Sequence, residues 1–188
     1  MLSSTQAMQP NRMPQPRPRE EDRWVHLHGL SWSQYLAMRE ATDQVVCSDD
    51  LAERAEACVD RGATVLLVTD RGVTEHEVPV PSLLAVGAVH HHLIRENSRT
   101  RCGLVVETGE AREVAHFALL IGYGAGAINP YLAFETVRDL VDEAAFVPAG
   151  LSHDKAIANY LKAIDQGLLK IFAKMGISTL QSYRGAQI

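Results

Sequence analysis

Ionisable side chains, among them carboxylates and an imidazole that could transfer protons, are concentrated in one short segment, ETGEAREVAH. They are Glu107, Glu110, Arg112, Glu113 and His116. The segment follows a predicted strand, and α/β folds bind their ligands beyond the carboxyl ends of strands. Glu113 and His116 lie three residues apart on one face of a predicted helix, so a carboxylate and an imidazole could transfer a proton there. A structural role is the alternative that we favour, because Glu110 and Glu113 also suit a helix N-terminus and Arg112 could pair with a neighbour.

Three consecutive histidines, His90, His91 and His92, suggest a metal site. Neighbouring residues of a helix point about 100° apart, so the three rings cannot converge on one ion. A tetrahedral zinc site would need ligands from another element, and His116 or Glu113 are the nearest candidates in the sequence. We therefore predict a structural or hydrogen-bonding role for the histidines.

The glycine-rich run GYGAG, residues 122–126, has the composition of a phosphate-binding loop, because glycine amides can approach an oxyanion closely. A dinucleotide-binding loop follows a strand and opens a helix, whereas this run follows a predicted helix and leads into a strand. We predict a helix C-cap and a tight turn at this position.

Apolar runs and turn residues predict alternating helices and strands from residue 48 onward. Strands that are apolar without alternation are typical of a parallel sheet that is buried on both faces. Repeated β-α units predict the α/β class, with right-handed crossovers and a Rossmann-like parallel sheet with flanking helices. The predicted strands are 63–70, 103–107 and 126–128, and the predicted helices are 48–62 with Ser48 as its cap, 82–97, 110–122, 132–143, a long helix from Ser152 and a further helix from Thr179. Lys170 to Ala173 is expected to be extended.

Composition argues against several classes of protein. The 188 residues are enough for one domain with a single core. A net charge of −5 and a pI near 5.9 give no basic surface, so no nucleic-acid partner is expected. The apolar runs are shorter than the roughly 20 residues that cross a bilayer, and no membrane span is expected. Three cysteines without a CxxC pair indicate a reducing, cytoplasmic location and no iron–sulfur cluster held by this chain alone.

Several longer motifs resemble the glutamate synthase large (alpha) subunit. HHHLIR, VVETGEAREVAHFALLIGYGA and NPYLAFET, all within residues 90–136, are similar to the family's central region. KMGISTLQSYRGAQI, residues 174–188, is similar to the point at which the central domain meets the FMN-binding synthase domain. The resemblance extends over residues 52–188, which is most of the chain.

The resemblance implies an enzyme that makes glutamate from glutamine and 2-oxoglutarate, with FMN and a 3Fe-4S cluster in the complete protein and electrons from NADPH, NADH or ferredoxin. It implies that this piece is the central scaffold between two active sites, has no cofactor or catalytic residue of its own and is inactive alone. Its implied partners are the remaining glutamate synthase domains or subunits. Lys174, Ser178 and Arg184 are implied to lie near FMN in the complete enzyme, and a domain-joining role for their charges is the alternative.

Four regions are expected along the chain. Residues 1–30 form a disordered tail rich in proline and arginine, and residues 31–47 form a short helix and linker. Residues 48–150 form the central-domain-like α/β region, and residues 151–188 form the truncated start of the FMN-binding domain, leading into a missing TIM-type barrel. In isolation, the apolar faces of the helices at 157–168 and 179–188 are expected to be uncovered. The alternative to a synthase fragment is a non-catalytic binding or assembly module, or one piece of a split synthase.

Overall fold

The computed structural model describes residues 25–26, 44–46, 51–71, 79–143, 147–148 and 150–186. The tail expected over residues 1–30 lies outside these ranges except for two residues. The helix expected from Ser31 and the cap expected at Ser48 lie outside them as well.

The described helices and strands follow the predicted alternation from residue 51 onward. Two further strands, β1 and β2, lie in the first 50 residues, where the sequence analysis predicts none. The strands are β1 (Val25–His26), β2 (Gln44–Val46), β3 (Val65–Thr69), β4 (Gly103–Glu107) and β5 (Ala127–Asn129). The helices are α1 (Leu51–Asp60), α2 (Ser82–Arg95), α3 (Val114–Gly122), α4 (Tyr131–Asp142), α5 (His153–Met175) and α6 (Leu180–Tyr183), with a 3-10 turn at Arg99–Arg101.

The five strands form one sheet in the order β1-β5-β4-β3-β2. Strands β2 to β5 are parallel and lie side by side in the order in which they occur along the chain, whereas β1 is antiparallel to β5. The predicted α/β class and the parallel sheet with flanking helices are confirmed. The order of the parallel strands is sequential, without the reversal that defines a doubly wound sheet.

The main hydrophobic core lies between one face of the sheet and the helices. Leu66, Val68, Leu104, Val106 and Ile128 point to this side, where they join buried residues of all six described helices. The opposite face is buried as well, and it presents Leu67, Val105 and Ala127. Burial on both faces explains why these strands are continuous apolar runs.

Helix α5 is longer than the sequence predicts. The Ser152 hydroxyl caps it by accepting a hydrogen bond from the Lys155 amide, as the predicted start requires. The prediction that Lys170 to Ala173 is extended is wrong, because these residues belong to α5, where Ile171 and Phe172 pack against the core. The helix ends only at Gly176, whose φ of 69° lies in the left-handed region that favours glycine.

The expectation that the C-terminal helices are uncovered is also wrong. Along α5, Ile157, Leu161, Ile164 and Leu168 are buried in the same core as the sheet, and α5 contacts both α3 and α4. Tyr183 of α6 is buried too, against the ring of Phe172. Among the described helices, none is long and apolar enough to span a membrane.

Candidate functional site

The carboxyl edge of the sheet carries a row of three polar side chains. Thr69, Glu107 and Asn129 are paired across β3, β4 and β5 by the strand register. Glu107 is 1% exposed, and its carboxylate accepts hydrogen bonds from Thr69 Oγ1 at 2.8 Å and Asn129 Nδ2 at 3.2 Å. Arg71 Nε also donates to Glu107 Oε1 at 3.0 Å. The buried charge is therefore compensated by an ion pair and two further hydrogen bonds, as a carboxylate removed from water requires.

A second carboxylate, Asp70, organises the neighbouring loops. It accepts hydrogen bonds from the Thr108 hydroxyl at 2.7 Å and the Gly109 amide at 2.9 Å. Because the Thr108 hydroxyl proton is used on Asp70, the Ser82 hydroxyl donates to Thr108 Oγ1 across 2.5 Å. The Ser82 amide in turn donates to the Glu110 carboxylate at 2.7 Å. The loops after β3 and β4 are thus tied to the N-terminus of α2, where a negative charge is favourable.

Arg71 connects the sheet to helix α4. Its guanidinium carbon lies 3.7 Å from the centroid of the Tyr131 ring, and its Nη2 lies 3.6 Å from Glu135 Oε1. Burial, the negative charge of Asp70 and a hydrogen bond to that carboxylate raise the pKa of Tyr131 far above its usual value. Tyr131 therefore stays protonated at neutral pH and acts as a hydrogen-bond donor.

These residues form what we call the carboxyl-edge cluster. Arg71 is paired with Glu107 and Glu135, and Asp70 is bound by a hydroxyl and a backbone amide. The oxygens of Glu107 are occupied by internal donors. A general acid or base must instead reach a proton of the substrate. The arrangement is suited to holding β3, β4, β5 and α4 together. The carboxyl-edge cluster consists of Thr69, Asp70, Arg71, Glu107, Thr108, Asn129, Tyr131 and Glu135.

The structure separates the five ionisable residues that the sequence analysis groups. Glu107 belongs to the carboxyl-edge cluster, and Glu110 binds the Ser82 amide. Helix α3 begins at Val114 rather than at the predicted Glu110. Glu110 is not in the first turn of that helix and instead stabilises the N-terminus of another one.

Glu113 and His116 are the two residues whose spacing suggests proton transfer. His116 Nε2 lies 3.5 Å from Glu113 Oε1, and the Glu113 side chain is 72% exposed. The Arg112 amide donates to His116 Nδ1 at 3.2 Å, which places the ring proton of a neutral His116 on Nε2. A cavity of about 310 Å³ lies beside this pair, lined by Ser82, Leu83, Glu110, Ala111, Arg112, His116, Leu119 and Leu120. The pair is a loose surface contact, in keeping with the structural role that we favour.

Two of the three histidines bind different elements of the fold. His90 Nδ1 accepts a hydrogen bond from Arg99 Nε at 2.8 Å, and His92 Nε2 lies 2.8 Å from Glu56 Oε2 of α1. His91 is exposed. The predicted hydrogen-bonding role is confirmed for His90 and His92.

The glycine-rich run closes helix α3 and turns into β5, which confirms the predicted C-cap and turn. Gly124 has a φ of 111°, and its carbonyl accepts a hydrogen bond from Arg99 Nη2 at 2.9 Å. The Ala125 amide donates to the Leu120 carbonyl at 2.9 Å. The imidazole of His90 packs directly on Gly124, so a side chain at position 124 would overlap with that ring.

His90 should make the stability of the protein depend on pH. Burial, followed by the positive charges of Arg99, His91 and Arg184, lowers the pKa of His90 from 6.5 to about 4. The unfolded chain therefore takes up this proton at a higher pH than the folded chain does. The stability that neutral His90 gives to the folded state is fully present above pH 6.5 and is lost as the pH falls towards 4.

We predict that His90→Gln reduces the drop in thermal unfolding temperature between pH 7 and pH 5, since glutamine does not titrate. Thermal unfolding followed by circular dichroism at each pH measures this drop. His91→Gln is the matched control, because it removes an exposed imidazole from the next position. An equal pH dependence in both variants would show that His90 is not the group responsible.

Lys174, Ser178 and Arg184 lie near the C-terminal end of α5. Lys174 is exposed in the last turn of that helix, and Ser178 is exposed between Gly176 and α6. Arg184 is half-buried, and its guanidinium lies against Gly126 at the amino end of β5. Burial and the charge of Arg99 lower its pKa.

Sequence reasoning missed most of the carboxyl-edge cluster. Asp70 and Arg71 follow β3 directly, and Asn129 and Tyr131 stand at the end of β5 and the start of α4. The rule that directed attention to the end of β4 applies equally to these two strands. The ends of all three strands, taken together, predict these residues.

The family of this chain follows from comparison with known proteins. Residues 33–188 match the sequence model of the glutamate synthase central domain, and the chain belongs to the glutamate synthase family. It is 50% identical over 139 residues to the glutamate synthase [NADPH] large chain of Bacillus subtilis, covering 74% of this chain and 9% of that protein. It is 45% identical over 156 residues to the glutamate synthase [NADH] of Schizosaccharomyces pombe, covering 83% of this chain and 7% of that protein. It is 46% identical over 151 residues to the ferredoxin-dependent glutamate synthase 2 of Synechocystis, covering 74% of this chain and 10% of that protein.

The chain therefore spans about a tenth or less of the length of these relatives. Its fold is also similar to that of the flavin-binding domain of baker's yeast flavocytochrome b2. The TM-score is 0.58 at 10% identity, and the similarity covers 82% of this chain and 37% of that one. At this level of identity the similarity concerns the fold alone.

Proposed function

We propose that this chain provides the central scaffold of a glutamate synthase and does not catalyse a reaction by itself. In the complete enzyme, glutamine and 2-oxoglutarate would be converted to glutamate, which assimilates ammonia. The membership of the family supports the enzyme class. The carboxyl-edge cluster supports the scaffold role, because its charged groups are bound by neighbouring groups of the chain at the edge where related folds place ligands.

A 3Fe-4S cluster in the complete enzyme would take its ligands from other parts of that enzyme. Iron–sulfur clusters need grouped cysteine thiolates. Over the residues that the structure describes, no three His, Cys, Asp or Glu side chains are placed to hold a metal ion. Cys58 and Cys102 are both buried.

FMN in the complete enzyme is proposed to lie near Lys174, Ser178 and Arg184. Lys174 and Ser178 are exposed on either side of the turn at Gly176, so an ammonium and a hydroxyl are available to a phosphate group. Arg184 and Arg99 add positive charge at the amino end of β5. FMN would supply the two-electron reduction, and these residues would bind and orient its phosphate.

The alternative is a non-catalytic binding or assembly module, or one piece of a split synthase whose other domains are separate chains. Residues 1–32 lie outside the matched central domain, which favours this alternative. A reading frame beside the gene that continues the synthase sequence would indicate a split enzyme.

An FMN titration followed by fluorescence tests the proposal. We expect the chain to bind FMN only when a separately expressed synthase-barrel fragment is present. Lys174→Ala should weaken that binding about tenfold, because a charged hydrogen bond is lost. Lys162→Ala removes an exposed lysine from the same helix and should leave the affinity unchanged. FMN binding by the chain alone would contradict the expected need for the barrel fragment. Equal affinities of the two variants would contradict the proposed role of Lys174.

A further inference from the structure

The cavity beside helices α2 and α3 has both charged and apolar lining residues. Its volume of about 310 Å³ lies at the lower end of the size range of ligand pockets, which suits a small molecule. Glu110 and Arg112 line it from the loop before α3, and Leu83, Leu119 and Leu120 line it from the two helices. Leu119 lies five residues beyond the start of α3, or about 8 Å along the helix. The charges thus share one short loop, whereas the apolar lining extends along the helices.

Glu110 is held at this cavity by two hydrogen bonds. Its Oε2 accepts a hydrogen bond from the Ser82 amide at 2.7 Å, and its own amide donates to Thr108 Oγ1 at 3.0 Å. A carboxylate accepts hydrogen bonds on both of its oxygens, so Oε1 is available to a donor of a ligand. Glu110 therefore offers a fixed negative charge.

Arg112 is fixed by its backbone. Its amide donates to His116 Nδ1 at 3.2 Å, and its carbonyl accepts a hydrogen bond from the Tyr160 hydroxyl at 3.0 Å. Over the residues that the structure describes, the hydrogen bonds of Arg112 do not use its guanidinium. A guanidinium binds a carboxylate through two parallel hydrogen bonds, and it is the side chain best suited to this ligand group.

We propose that this cavity binds an α-amino acid with an apolar side chain. Such a molecule carries a carboxylate and an ammonium group on one carbon atom, and Arg112 and Glu110 offer the opposite charges from two positions of one loop. The leucines of α2 and α3 would cover the apolar side chain. A carboxylate without an ammonium group would leave the charge of Glu110 uncompensated, and a purely apolar ligand would leave both charges so.

This site is distinct from the one proposed for FMN. Glu110 and Arg112 follow the carboxyl end of β4, whereas Arg184 lies at the amino end of β5. The loop that holds the ligand is bound to Ser82 of α2, His116 of α3 and Tyr160 of α5. A bound amino acid would therefore stabilise the junction of three helices, and it would do so whether or not the chain acts as a scaffold.

Calorimetric titration of the chain with L-leucine tests the proposal. We expect saturable binding of L-leucine. Isocaproate lacks the ammonium group and isoamylamine lacks the carboxylate, so each should bind about tenfold more weakly. The thermal unfolding temperature should rise with the concentration of L-leucine. No saturable binding, or an analogue that binds as tightly as L-leucine, would overturn the proposal.

Three substitutions test where L-leucine binds. Arg112→Gln should weaken its binding about tenfold. Arg95→Gln removes an exposed arginine of α2 that does not line the cavity, and it should leave the affinity unchanged. Glu110→Gln keeps an oxygen that can accept from the Ser82 amide, and it should weaken the binding of L-leucine but not that of isocaproate. Circular dichroism of each variant would verify folding. Equal affinities of Arg112→Gln and Arg95→Gln would overturn the proposal.

Discussion

Glu107→Ala is expected to lower the free energy of unfolding by about 3–5 kcal/mol, the usual cost of breaking a buried ion pair. The substitution leaves Arg71 beside a cavity without its buried carboxylate and removes the acceptor that Thr69 and Asn129 share. Three strands lose their common hydrogen-bonded group at once. Urea unfolding followed by circular dichroism measures the change.

Glu113→Ala is the control for this prediction. It removes a carboxylate from the same stretch of sequence, but the Glu113 side chain is 72% exposed. Surface substitutions of this kind change stability by about 0.5 kcal/mol or less. Similar losses in the two variants would mean that the carboxyl-edge cluster does not stabilise the fold in the way that its hydrogen bonds indicate.

Gly124→Ala is expected to lower the free energy of unfolding by about 2–4 kcal/mol, through backbone strain and steric overlap together. Gly124 has a φ of 111°, and a Cβ atom there would overlap with the imidazole of His90. His90 is itself held by its hydrogen bond with Arg99, so the ring cannot move away freely. Chemical unfolding of the purified variant measures the loss.

Gly62→Ala separates the two causes. Gly62 has a φ of 100°, close to that of Gly124, but nothing lies within 4 Å of its Cβ position. Gly62→Ala should therefore lower the free energy of unfolding by about 1–2 kcal/mol, which is the cost of the backbone strain alone. A double variant that combines Gly124→Ala with His90→Ala should lose less stability than the sum of its single variants. Equal losses at Gly62 and Gly124 would show that the contact with His90 is unimportant.

The strands β3, β4 and β5 and most helix ends could be predicted from local sequence, whereas β1 and β2 were not predicted. Strand β4 is an uninterrupted apolar run, and its predicted and observed limits are both Gly103 and Glu107. Gly62 and the run from Gly122 end helices by their conformational freedom, which does not depend on distant contacts. The predicted helix over residues 82–97 is likewise observed, ending at Arg95.

Errors arose where distant contacts decide the local structure. Helix α3 starts late because Glu110 binds the Ser82 amide, 28 residues earlier in the chain. Helix α5 continues through Lys170 to Ala173 because its apolar face packs on α3 and α4, and a run of four residues cannot show this. Tyr183 is likewise buried only because the fold places α6 against Phe172 of α5, which the local sequence does not show.

The carboxyl-edge cluster was the least predictable part of the molecule. Thr69, Glu107 and Asn129 are separated by many residues, and they form one row only because of the register between β3, β4 and β5. The sequence places a glutamate at the end of β4, but it does not show that Arg71 pairs with it. A paired carboxylate and a reactive one look the same in a sequence, since only the neighbours distinguish them.

Glutamate formation from glutamine and 2-oxoglutarate tests the scaffold role most directly. It should be measured for the purified chain alone and for a Bacillus subtilis large chain whose matched segment is replaced by the corresponding residues of this chain. We predict no glutamate from the chain alone and glutamate synthesis by the folded chimera. Turnover by the chain alone would contradict the account, and so would a folded, inactive chimera when the segment of another relative restores activity.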